Sequence, residues 1–89
     1  MPGSYYIHVK ILSMKGKCPQ KHKVGEEWVI GDKTPDGLCL NAFNSQLTHI
    51  QVMRYGGIFP WATDNTDTVI STCPDPDNRV CFELKRIKR

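Results

Sequence analysis

The chain reads as a small α+β domain: a mostly antiparallel sheet of about four strands with a central helical region packed on one face, in the order β-β-α-β-β. Three observations predict it. Residues 5–14 and 80–87 alternate apolar and polar positions at the period of a strand. Between Gly37 and Trp61 lies the one long run whose apolar residues recur at helical spacing. Turn-forming segments at Gly16 and Pro19, at Pro35 and Gly37, and in the Cys73–Arg79 stretch separate these runs, and no repeat or linker interrupts them.

With 89 residues, a single domain spanning 1–89 around one core is expected. An apolar fraction of 39% against 24% charged is that of a globular chain, with a modest margin of stability at this size. The net charge of +3 is too small to announce a nucleic-acid binder. No run approaches the roughly 18 apolar residues of a membrane span, and the first residues lack the pattern of a targeting peptide. The expectation is a cytoplasmic protein without a membrane segment.

The first strand covers Tyr5–Met14, with Ile7, Val9 and Ile11 on one face and His8 and Lys10 on the other. A polar, basic loop from Lys15 to Lys23 follows. The second strand, Glu26–Ile30, places Trp28 and Ile30 on one side. Pro35 and Gly37 then make a turn. In the helical region Leu40, Phe43, Leu47 and Ile50 step by three and four, which gathers them on the side expected to face the sheet. This helix should open near Cys39 or Leu40, be interrupted around the β-branched Thr48, and end at Arg54 or Tyr55 with Gly56 as its cap. Arg54 is expected to meet the carbonyl dipoles of that end. Strands three and four, Thr68–Thr72 and Val80–Ile87, should form a hairpin, and the first and last strands should pair. Val80, Phe82 and Leu84 share the inner face, which puts Cys81 outside.

The four cysteines, Cys18, Cys39, Cys73 and Cys81, carry most of the candidate chemistry. In a reducing compartment such residues are more often free, metal-bound or redox-active than paired in a disulfide framework. Thiolates joined by an imidazole suit zinc, and cysteines alone suit an iron-sulfur cluster, so Cys18, Cys39 and Cys73 completed by His22, with Cys81 as the second choice, form the leading candidate site. Prolines after Cys18 and Cys73 stiffen both loops. The absence of a Cys-x-x-Cys pair leaves two other readings open, uncoupled buried thiols and a structural disulfide. Taken alone, His22 in its lysine-rich loop reads as a solvated surface histidine.

Several segments resemble, in order and along nearly the whole chain, a family of small uncharacterised prokaryotic cysteine-containing proteins. They are GKCPQKHKVGEEW, TPDGLC, RYGGIFPW and CPDPDNRVCFELKR. The family pattern reads Cys-Pro-x-Gly-His-Lys-x-Gly-Asp, Gly-Leu-Cys-Pro, Arg-Tyr/Phe-Gly-Gly-x-Phe-Pro-Trp and Cys-Pro-Asp-Pro. The chain departs from it with Lys21 in place of glycine and Leu40 in place of proline. The resemblance implies a compact cytoplasmic prokaryotic protein and carries over no catalytic role. It matches Cys18, His22, Cys39 and Cys73 to motif positions, and Cys81 to none.

Three other readings stand beside the metal site. Cys39 at a helix start is a candidate reactive thiol, with His22 as base if the two loops meet; the plainer reading is a small core residue beside Phe43. Lys15, Lys17, Lys21 and Lys23 could join Lys85, Arg86, Lys88 and Arg89 in one basic patch, but no reading helix or stacking pair accompanies them, so nucleic acid is disfavoured as a partner. Ile58, Phe59 and Trp61 around Pro60 form an apolar knuckle, either an anchor for a protein partner or the lid of the core. Glu26 and Glu27 point to opposite sides of a strand and make no acid-base pair. The sequence therefore leads to a small accessory protein binding zinc or an iron-sulfur cluster and acting by partner contact. A thiol redox enzyme using Cys39 and a basic nucleic-acid module are the alternatives.

Overall fold

The computed structural model describes residues 3–17, 20–60, 67–75 and 77–88. Cys18 and Trp61 lie outside the described residues. Four strands, β1 (Tyr5–Met14), β2 (Glu27–Ile30), β3 (Thr68–Thr72) and β4 (Val80–Lys88), and one helix, α1 (Leu40–Arg54), follow in the order β1-β2-α1-β3-β4. The strands form one antiparallel sheet in the spatial order β2-β1-β4-β3. The long first and last strands pair at its centre, from Tyr5 opposite Lys88 to Met14 opposite Val80. No helix among the described residues is long and apolar enough to cross a membrane.

Alternation decides which face is buried. Ile7, Val9 and Ile11 of β1 meet Phe82 and Leu84 of β4 in a core that also takes Val69 and Ile30. A β-bulge between Ile11 and Ser13 shifts the register, so that Met14, which strict alternation would send outward, turns back to pack on the core.

The helix departs from its expected face. It is continuous through Thr48, and its buried residues are Ala42, Gln46, Ile50, Met53 and Arg54. Of the expected stripe, Ile50 lies in the core and Phe43 packs against it, whereas Leu47 is half-buried and Leu40 is 78% exposed. The sheet-facing stripe is thus rotated away from Leu40, and Gln46 lies fully buried within it. Its amide is fully buried, with no hydrogen-bond partner on nitrogen or oxygen among the described residues.

At its C-terminus α1 ends in a Schellman motif: Gly57 N–H donates to Val52 C=O at 2.9 Å and Gly56 N–H to Met53 C=O at 3.1 Å. Gly56 has φ +86°, a conformation that costs glycine nothing. Arg54 does not serve these carbonyls. It reaches Asp32 at 2.6 Å and Gln51 at 2.8 Å. The cation at the helix end is Arg86 of β4, whose Nη1 donates to Gly57 C=O at 2.7 Å and lies 3.4 Å from Met53 C=O. Arg86 is accordingly buried and removed from any basic patch. The remaining lysines do not join either, because antiparallel pairing puts Lys15 and Lys17 at one end of the β1–β4 pair and Lys85 and Lys88 toward the other.

Candidate functional site

A cavity of about 240 Å³ opens where the N-terminus of α1, the β3–β4 turn and the loop before β2 meet. His22 and Gln20 line it from the loop, Cys39, Asn41 and Ala42 from the helix start, and Cys73, Asp75 and Asn78 from the turn. Val80 and Phe82 of β4 form its apolar floor. Three of the four residues singled out as metal ligands, His22, Cys39 and Cys73, therefore share one cavity although they are far apart in the chain.

Each is held by specific bonds. Cys39 is the residue preceding α1, and its side chain makes no capping hydrogen bond. Its backbone N–H instead donates to His22 Nε2 at 3.0 Å. In a capping box a glutamate or glutamine at the third helical position would satisfy that N–H. Here that position is Ala42, which cannot, and an imidazole from another loop does so. Accepting this bond requires Nε2 to be unprotonated, which places the hydrogen on Nδ1, 3.2 Å from Glu26 Oε1. The same carboxylate oxygen accepts Lys23 N–H at 2.6 Å. The Trp28 ring packs edge-on against the imidazole, with centroids 5.1 Å apart. His22 is thus a buried strut, 8% exposed, and not a solvated surface histidine. The backbone turn that delivers it passes through Lys21 at φ +61°.

The Cys73 thiol lies in the β3–β4 turn. Its sulfur accepts Val80 N–H at 3.2 Å and donates to Asn78 C=O at 3.8 Å. The turn is rigidified by Asp75, whose Oδ1 accepts Asp77 N–H at 3.0 Å and Asn78 N–H at 3.1 Å. These bonds hold the Asp75 carboxyl below the usual carboxylate range. Asn78 Oδ1 in turn accepts Lys17 N–H at 3.0 Å, and Lys15 N–H donates to Arg79 C=O at 2.8 Å. Lys17 is thus tied to the β3–β4 turn through Asn78, and Gln20 contributes to the cavity lining.

Cys39, Cys73 and Cys81 are free, half-buried thiols. Cys81 lies apart, on the opposite face of the sheet, paired with Ser13 and Thr72. Among the described residues no group of three His, Cys, Asp or Glu side chains is placed to hold a metal ion. The His22 imidazole itself offers no free lone pair to the cavity while it holds Cys39 N–H.

The apolar knuckle divides. Ile58 is 61% exposed, whereas Phe59 packs against the core with its ring 5.1 Å from that of His49. Sequence reasoning missed the roles of Glu26, Asn78 and Asp75. Only the Asp75-x-Asp77-Asn78 turn chemistry could have signalled any of them.

Comparison with protein-family models, curated proteins and solved structures returned no match to this chain.

Proposed function

We infer that this chain is a small binding protein whose cavity takes a soft metal centre, zinc or an iron-sulfur cluster, on the thiolates of Cys39 and Cys73, with Cys18 as a third sulfur. The observation that carries the reading is that Cys39 and Cys73, from the helix start and the β3–β4 turn, line the same cavity. One further feature supports it. A backbone N–H already points at the Cys73 sulfur, as around thiolates that hold a metal. His22 acts here as a positioning residue that fixes Cys39, with its Nε2 free to ligate only if the bond to Cys39 N–H is given up. That same bond argues against the thiol-enzyme reading, because the nitrogen facing Cys39 is engaged by its backbone and is not poised as a base. Contact with a protein partner through Ile58 belongs to the same proposal.

The test is anaerobic purification followed by metal analysis and an absorption spectrum, on the natural chain and on Cys39→Ser and Cys73→Ser. A stoichiometric metal or thiolate chromophore that either substitution removes is the expected result. A metal-free, colourless natural chain that also fails to take up added zinc or iron and sulfide would overturn the reading.

A further inference from the structure

α1 covers one face of the sheet and leaves the other open among the described residues. That open face carries Tyr6, Leu12, Val29, Ile70 and Ile87, between 38% and 60% exposed, around a charged centre. Along one row Glu27, Lys10 and Glu83 stand side by side across β2, β1 and β4, and along the next come Val29, His8 and Lys85. Glu27 is satisfied within the chain by His8 Nε2 at 2.8 Å. Lys10 and Glu83 are directly opposite each other on the two central strands, yet neither forms an ion pair with any described residue.

We propose that the open sheet face is a docking surface for a second copy of this chain, related by a two-fold axis running along the β1–β4 seam. Such an axis exchanges β1 with β4 at the same height. Lys10 of each copy then meets Glu83 of the other, and Tyr6 meets Ile87, so both a charge pair and an apolar pair repeat twice across one isologous interface. The in-register neighbours of the monomer become the facing residues of the dimer, so the same axis also sets Lys85 opposite His8, whose Nε2 holds the Glu27 carboxylate.

Size sets the affinity. Four strands about 4.8 Å apart and roughly 22 Å long give a face of about 400 Å² per copy, or about 800 Å² in all. That lies below the roughly 1,200–2,000 Å² of stable complexes and corresponds to a weak, concentration-dependent dimer. The inference does not depend on the metal reading, since the cavity lies on the other side of the sheet.

The experiment is sedimentation analysis from micromolar to millimolar concentration of the natural chain, Lys10→Glu and Glu83→Lys, each checked for folding by circular dichroism. The natural chain should dimerise. Each variant alone sets like charges against each other and should stay monomeric. An equimolar mixture of the two variants restores both opposite-charge pairs across the interface and should dimerise as a heterodimer. The mixing arm separates an effect between copies from one within a chain. A natural chain that stays monomeric at millimolar concentration, variants that self-associate like the natural chain, or a mixture that remains monomeric would each overturn the proposal.

Discussion

Replacing Gln46 with methionine should stabilise the fold. Gln46 sits on the sheet-facing side of α1, fully buried, with neither amide atom hydrogen-bonded. A buried polar group without a partner forfeits the bonds it made to water, at about 1–3 kcal/mol. Methionine has the same unbranched length and nearly the same helix propensity, so Gln46→Met removes the amide while leaving volume and backbone largely unchanged. The gain should therefore approach the whole penalty, about 1–3 kcal/mol. For a domain of this size each kcal/mol moves the midpoint of thermal unfolding by about 4–8 °C, giving a rise of roughly 5–20 °C. Thermal and urea unfolding followed by circular dichroism measure it, with an unchanged urea slope confirming that the effect is on stability. A loss of 1 kcal/mol or more would refute the reasoning, since it would mean that the amide has a partner, such as a buried water, that methionine displaces.

Three other substitutions test the frame around the cavity. Lys21→Gly relieves a left-handed backbone at φ +61°, and after the entropy of glycine in the unfolded chain is set against it the net gain should be about 0.5–1 kcal/mol in urea unfolding; a loss would contradict the strain. His22→Ala orphans Cys39 N–H and leaves Glu26 Oε1 only its bond from Lys23 N–H, so stability should fall by about 1–3 kcal/mol, and an unchanged urea midpoint would remove its role as a strut. Asp75 has a folded-state pKa below its unfolded value, so its stabilisation is present above the unfolded value, near pH 4, and is lost as pH falls through the folded one. The urea midpoint of the natural chain should therefore drop more steeply below pH 4 than that of Asp75→Asn; parallel curves would show that the turn does not depend on that charge.

Where an element buries one face by simple alternation, its residues announce the fold. Ile7, Val9 and Ile11 mark the inner side of β1, and Val80, Phe82 and Leu84 that of β4, so the central pairing and the outward Cys81 follow from parity alone. The same parity continues to Arg86, whose inward direction was legible although its task at the helix end was not. The helix misled at Leu40 and Leu47, because tertiary packing kept Ile50 and Phe43 of the expected stripe on the core but turned Ala42, Gln46 and Met53 toward the sheet. Packing on that side lets Cys39 and Ala42 wall the cavity, so the cost at Gln46 accompanies the position of the site. The bulge after Ile11 left no sequence signal. His22 could not be placed from its neighbours because its surroundings come from the helix start and from Trp28, both remote from its loop.

The account rests on two cavity thiols acting as one site, and site-resolved alkylation tests that directly. Reduced protein, at dilution and without oxygen, is treated with an alkylating reagent with and without one equivalent of zinc, and labelling of each cysteine is followed by mass spectrometry. Cys39 and Cys73 should become protected together, with Cys18, while Cys81 on the far face of the sheet reacts at an unchanged rate. Cys39 and Cys73 reacting equally fast with and without zinc, or protected no more than Cys81, would contradict it.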